Sequence, residues 1–102
     1  MSVIELTGEN FEQEVLHAEG TVLVEFQASW CGPCRAMAPV VEAVSEEIPG
    51  VKFGKVDIDQ EAELAGEFHV MSVPTLLVFR EGRPEKRIVG LQKKEDILKM
   101  IH

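Results

Sequence analysis

Two cysteines separated by two residues are the groups in this sequence best suited to chemistry. Cys31 and Cys34 are its only cysteines, and they closely follow an apolar, β-branched run over residues 21–26. Sulfurs three positions apart can close a disulfide with little movement of the chain, and in a first helical turn they lie on one side. Free N–H groups and the helix dipole there stabilise a thiolate, the nucleophile of thiol–disulfide exchange. The pair therefore predicts redox chemistry on the disulfides of other proteins.

Two other uses of the cysteine pair agree less well with the sequence. A structural zinc site takes about four ligands at short spacing, and His17, His69 and His102 are too scattered to complete one. A purely structural disulfide would close a very short loop, where the entropic gain is small. A chain with 45% hydrophobic residues forms a core without such a link.

Length and composition bound the class of protein. The 102 residues are expected to form one domain, residues 1–102. A net charge of −8 argues against binding to nucleic acid. No run approaches the roughly 18 apolar residues of a membrane helix, and the first eight residues do not resemble a signal peptide. We therefore expect a cytoplasmic protein with no membrane partner, although an exported form that has lost its signal would look the same.

The elements that position the cysteines alternate along the chain. Hydrophobic patterning predicts the order βαβαβαββα. Alternating βα units imply parallel strands, and the final hairpin adds an antiparallel edge, which together make an α/β fold. Strands are predicted at residues 3–6, 21–26, 51–58, 75–80 and 86–89, a turn at 81–84, and helices at 7–17, from Pro33 to before Pro49, at 61–68 and at 93–101.

The segment Trp30-Cys31-Gly32-Pro33-Cys34, at a strand–helix junction in a chain of this length, resembles the thioredoxin family. The resemblance covers essentially the whole chain, with further matches at residues 24–26, 38–39, 56–59, 73–75 and 89–90. It implies the thioredoxin fold, a central five-stranded mixed β-sheet flanked by four α-helices. It also implies an enzyme that reduces protein disulfides.

The resemblance assigns different roles to the two sulfurs. Cys31, the more exposed, attacks a substrate disulfide, and Cys34, the more buried, resolves the mixed disulfide and releases reduced substrate. Gly32 and Pro33 support the motif. The resulting Cys31–Cys34 disulfide is reduced again by a thioredoxin reductase, and the protein itself binds no cofactor and no metal. Its partners are then disulfide-bearing proteins and that reductase, and we expect a monomer.

Glu25 interrupts the apolar strand before the motif. A buried carboxylate is costly without a partner or a purpose. One interpretation is a strand-end residue facing water; the other is a carboxyl of raised pKa that accepts the proton of Cys34 through water. The family usually has Asp here, one methylene shorter. Lys55 matches the family lysine that neighbours this carboxyl, although an ordinary surface lysine on an alternating strand fits the pattern too.

Pro74 matches a proline that is cis in the family and lies opposite the cysteines, whereas a trans proline opening a strand is the simpler interpretation. If cis, it turns the backbone of Val73 toward the cysteines, where it can pair with an extended substrate segment. The apolar docking surface implied by the resemblance consists of Trp30, Gly32, Pro33, Val73, Pro74, Gly90 and Leu91.

Gln27 stands where the family commonly has a tryptophan that packs near the active site. Together with Glu25, it motivates a second hypothesis, a specialised donor that serves one partner. A third hypothesis is a thioredoxin-fold binding subunit whose thiols are incidental.

Overall fold

The computed structural model describes residues 3–102, and its elements follow the predicted order with one change of helix type. The expected domain of residues 1–102 also includes Met1 and Ser2, which lie outside the described residues. The five strands are β1 (Val3–Glu5), β2 (Thr21–Gln27), β3 (Val51–Asp57), β4 (Thr75–Arg80) and β5 (Arg83–Val89). The four helices are a π-helix (Glu12–Leu16), α1 (Gly32–Glu47), α2 (Ala62–Glu67) and α3 (Lys94–Ile101).

The strands form one mixed sheet in the order β1-β3-β2-β4-β5. β3 runs parallel to β1 and β2, whereas β4 is antiparallel to both β2 and β5. The central strand β2 is buried from Val22 to Phe26, as its near-continuous apolar run predicts, and the burial includes Glu25. The predicted mixed sheet of five strands with four flanking helices is confirmed.

Alternate residues of β2 face the two layers of helices. Val22, Val24 and Phe26 pack in a cluster with residues of the π-helix and α2. Leu23 points to the opposite face, where it packs with apolar residues of α1 and α3. Because Glu25 follows Leu23 by two residues, its side chain lies on the face that carries α1.

The first helix is π rather than α. The His17 N–H donates to the Glu12 carbonyl at 2.8 Å, five residues back. A turn precedes it, since the Phe11 N–H donates to the Thr7 carbonyl at 2.9 Å. Burial of Phe11 and Val15 against the sheet sets this geometry, because in so short a segment packing outweighs intrinsic helix propensity.

The last hairpin turns more tightly than predicted. Its two turn residues are Glu81 and Gly82, both with positive φ, +50° and +80°. A Cβ on Gly82 would meet the Leu16 carbonyl oxygen at 2.2 Å, so only glycine fits. β5 therefore begins at Arg83 instead of residue 86, and Pro84 lies within it opposite Phe79. Because β5 is an edge strand, the missing N–H of Pro84 is tolerated.

Candidate active site

The two cysteines lie where β2 gives way to α1, and Cys31 is the N-cap of that helix. They form a disulfide with their Cα atoms 5.2 Å apart. The Cys34 N–H donates to Cys31 Sγ at 3.1 Å, so a free backbone donor of the first turn points at this sulfur. Pro33 occupies the first turn, where it has no helical hydrogen bond to lose. Cys31 is 5% exposed and Cys34 2%, so both residues are buried and Cys31 only slightly less so.

Val73 brings a second segment of chain against the sulfurs. Its carbonyl oxygen lies 3.7 Å from Cys31 Sγ. The Val73–Pro74 peptide bond is cis, the geometry that the family resemblance implies. Ala28, Ile58 and Val73 pack around the disulfide. Residues that are 42 positions apart in sequence thus meet at the cysteines.

Exposed apolar side chains surround this buried pair. Trp30 is 65% exposed and Leu91 58%. The Gly90 N–H donates to the Pro74 carbonyl at 2.8 Å, which ties the segment carrying Leu91 to the one carrying Val73. Gly32 and Pro33 are exposed beside Cys31. Two further exposed apolar residues, Met71 in a loop and Val89 at the end of the edge strand β5, neighbour these segments in sequence and were not predicted.

Asp59 contacts the Trp30 side chain in a way the sequence did not indicate. The indole Nε1–H donates to Asp59 Oδ2 at 2.8 Å. Asp59 is itself positioned by a turn in which Asp57 Oδ1 accepts its N–H at 2.9 Å. The indole is therefore oriented although it is exposed. No sequence pattern links residues 30 and 59, because the contact depends on where β3 ends beside β2.

Glu25 is buried beneath the cysteines. It is 3% exposed, and its Oε2 has no hydrogen-bond partner among the described residues. Burial raises the pKa of Glu25 to about 7, whereas the positive charge of Lys55 opposes that rise. Lys55 lies directly across from Glu25 in the β2–β3 ladder. The carboxyl is thus poised to gain or lose a proton near neutral pH.

A cavity of about 100 Å³ lies between this carboxyl and Cys34. Arg35, which lines it, also donates from Nη1 to the Ser29 carbonyl at 2.7 Å. A larger depression of about 250 Å³ lies along β5, lined by residues 77 and 84–87, and contains no cysteine. The smaller cavity is lined by Glu25, Gln27, Cys34, Arg35, Ala38 and Lys55.

Within residues 3–102, no cluster of three or more His, Cys, Asp or Glu side chains is arranged to hold a metal ion. None of the helices in that part of the chain is long and apolar enough to cross a bilayer.

The arrangement suits thiol–disulfide exchange. One sulfur is at a helix N-terminus, the other is within reach of it, and a carboxyl of raised pKa shares a cavity with the second.

Comparison with known proteins identifies relatives along the whole chain. The thioredoxin family model matches residues 2–102. A thioredoxin of Listeria monocytogenes is 45% identical over 101 residues, which cover 98% of this chain and 96% of the relative. A bifunctional thioredoxin reductase/thioredoxin of Mycobacterium leprae is 44% identical over 97 residues, 94% of this chain but 21% of that protein. Among solved structures, a mutant thioredoxin from Halobacterium salinarum superposes with a TM-score of 0.91 at 33% identity, covering 98% of this chain and 88% of the other.

Proposed function

Because this chain belongs to the thioredoxin family and is a thiol–disulfide oxidoreductase, we propose that Cys31 is its nucleophile and Cys34 its resolving cysteine. The observation that carries the assignment is the Cys34 N–H directed at Cys31 Sγ, 3.1 Å away, at the start of α1. In the dithiol state this donor and the helix dipole favour the thiolate of Cys31 over that of Cys34. Gly32 and Pro33 form the exposed turn between the two sulfurs.

The first step joins the protein to its substrate. The Cys31 thiolate attacks one sulfur of a substrate disulfide, so a Cys31–substrate S–S bond forms and the substrate's own S–S bond breaks. The second substrate sulfur leaves as a thiolate and takes a proton from water. Cys31 is 5% exposed and Cys34 2%, which supports Cys31 as the sulfur that a partner disulfide reaches first.

The second step releases the substrate. Cys34 loses its proton, attacks Cys31 Sγ and restores the Cys31–Cys34 disulfide, while the remaining substrate sulfur departs as a thiolate. Glu25 accepts the Cys34 proton through water, since both groups line the same cavity and the carboxyl titrates at about pH 7. Lys55 adjusts that pKa through its charge.

The substrate is held on the apolar surface beside the cysteines. Val73 offers main-chain groups to an extended segment, as in strand addition, and the Gly90 N–H donates to the carbonyl of the adjacent Pro74. Trp30 and Leu91 supply exposed apolar area for the same contact.

A thioredoxin reductase returns the disulfide to the dithiol. The Mycobacterium leprae relative supports this partner, because its name joins thioredoxin reductase and thioredoxin in one chain. We further propose that residues 1–102 form a single domain and that the protein is a monomer in the cytoplasm, with no bound cofactor and with neither nucleic acid nor membrane as a partner.

The test is dithiothreitol-driven reduction of insulin disulfides, with the wild type beside Cys31→Ser. We expect the wild type to accelerate the reaction and Cys31→Ser to lose that acceleration. Equal rates for both proteins would contradict the role of Cys31.

The same assay separates the alternatives. Comparable turnover on several unrelated protein disulfides would exclude a donor dedicated to one partner. A Cys31→Ser, Cys34→Ser double variant that still carried out the protein's cellular task would favour a binding subunit.

A further inference from the structure

Gln27 lines the cavity shared by Glu25 and Cys34, yet the exchange mechanism described so far gives it no task. Glu25 and Gln27 are two residues apart in β2, so both side chains lie on the face of the sheet that carries α1. Cys34 and Ala38 are one turn apart in α1 and line the opposite wall. Gln27 therefore lies beside the path from Cys34 to Glu25.

The chemistry of the cavity wall singles out an amide. Glu25 Oε2 is buried without a hydrogen-bond partner among the described residues. The cavity has room for water, which in such a site makes about three hydrogen bonds. Arg35 and Lys55 can only donate, whereas the amide of Gln27 both donates and accepts without any change of charge. Gln27 is thus the neutral side chain lining this cavity that can both donate a hydrogen bond to a water molecule and accept one from it.

We propose that Gln27 is a positioning residue whose side-chain amide orients the water that carries the proton of Cys34 to Glu25. The inference rests on the proposed function, because it requires Glu25 as the acceptor. The Cys34 S–H proton passes to the water, which gives one of its own protons to a carboxylate oxygen of Glu25. The electron pair left on Cys34 forms the bond to Cys31 Sγ, and the Cys31–substrate bond breaks, its electrons leaving with the substrate sulfur.

The side chain of Gln27 is neutral, so replacing it leaves every charged group around Glu25 in place. Lys55 lies opposite Glu25 on β3, and Asp57 lies opposite Gln27 on the same strand. Arg35 faces the cavity from α1. On the other side Glu25 pairs with Leu76 of β4, which carries no charge. A Gln27→Leu substitution removes none of these charges, so its effect reports on the amide.

Stopped-flow reaction with an aromatic disulfide that releases a coloured thiolate at each step separates the two attacks. We expect Gln27→Leu to slow the second phase about tenfold near pH 7, because the water is no longer oriented. The first phase, attack by Cys31, should stay within about twofold. The matched control is Gln13→Leu, the same change at an exposed position of the π-helix, which should leave both phases unchanged.

Two further measurements should change only if Gln27 acts on the proton transfer, and not if it merely supports the local structure. In an NMR titration, the pKa of the Glu25 carboxyl should rise further in Gln27→Leu, since the water that donates to its charged form is no longer held by the amide, and should not move in Gln13→Leu. In a Glu25→Gln background, Gln27→Leu should have no additional effect on the second phase. Equal slowing of both phases, an unchanged second phase, or a full additional effect in the double variant would overturn the inference.

Measurements on the Glu25 and Gln27 variants separate a failure of the Gln27 role from a failure of the proposed role of Glu25. If Glu25→Gln leaves the second phase unchanged at every pH, both the acceptor role of Glu25 and the role of Gln27 fail. If Glu25→Gln slows that phase and Gln27→Leu does not, only the role of Gln27 fails. Thermal melting establishes that each variant is folded, and Gln27→Ala, which removes the amide without adding an apolar branch, is the second variant.

Discussion

The two faces of β2 differ in how they are packed and in whether they bury a polar group. On the face toward the π-helix and α2, Val22, Val24 and Phe26 pack in an apolar cluster that three more phenylalanines extend. On the face toward α1, Leu23 packs in the same way, but Glu25 buries a carboxyl oxygen without a hydrogen bond and borders a cavity. One strand thus has a fully packed face and a face that becomes polar toward its C-terminal end.

The difference shows where this fold gives up stability for chemistry. A buried carboxyl beside a cavity costs free energy that an apolar side chain would not. That cost is confined to the few residues next to the cysteines, while the phenylalanine cluster, whose ring centroids lie 5.4 to 6.3 Å apart, stabilises the domain. Changes on the two faces should therefore have separable effects on activity and on the free energy of unfolding.

The largest effect on chemistry is expected from Cys34→Ser. Without the sulfur proposed to resolve the mixed disulfide, turnover with protein disulfides should fall by roughly 10³-fold or more, while the Cys31–substrate disulfide accumulates. Mass spectrometry of the trapped adduct measures this. Loss of turnover with no trapped adduct would contradict the order of attack, and unchanged melting would show that the packed face is unaffected.

The largest effect on stability is expected on the packed face. Phe79 is 0% exposed and contacts the rings of Phe11 and Phe68. Phe79→Ala should lower the free energy of unfolding by about 4 kcal/mol, measured by urea denaturation. The exchange rate per folded molecule should be unchanged at low denaturant; a parallel loss of exchange would mean that the two faces are not independent.

A pH-dependent effect on stability is expected from Glu25. The folded protein holds its proton to about pH 7, whereas the unfolded chain releases it near the ordinary value of 4.5. Between these values the folded state binds more protons, so its stability is fully present below the lower pKa and falls as the pH rises through the higher one. Relative to Glu25→Gln, the wild type should lose about 3 kcal/mol between about pH 4 and pH 8. Parallel stability curves for the two proteins would show that Glu25 titrates normally.

The smallest of these effects is expected outside both faces, at Trp30. Trp30→Ala removes exposed apolar area without touching the buried groups, so KM for a folded protein disulfide should rise about tenfold. The rate with a small-molecule disulfide and the free energy of unfolding should barely change, which gives the internal control. A comparable loss with the small disulfide would place Trp30 in the chemical step instead of in docking.

Sequence patterns predicted the elements well where the local signal was strong. The apolar run of β2, the cysteine pair after it and the Pro49–Gly50 end of α1 each specify their own structure. The patterns predicted less where tertiary contacts determine the local backbone structure. Phe11 and Val15 suggested an α-helix, but their packing produces a π-helix, and the contact between Gly82 and Leu16 is invisible to any local rule.

The candidate site was also predictable only where its residues carry a local signal or match the family. Glu25 stood out because a carboxylate interrupts a buried strand, and the resemblance supplied Val73 and Pro74. The hydrogen bond from Trp30 to Asp59 and the place of Gln27 in the cavity wall depend on how β2, β3 and α1 come together. Such three-dimensional proximity leaves no mark in residue spacing.

The position of Trp30 gives the protein a built-in optical signal. The sequence has one tryptophan and no tyrosine, so ultraviolet emission comes from a single indole, which faces solvent and immediately precedes Cys31. Disulfides quench neighbouring indoles, and covering an exposed indole shifts its emission to the blue. The fluorescence of unlabelled protein therefore reports the redox state of its sulfurs through the emission intensity, and the binding of a partner through the emission wavelength.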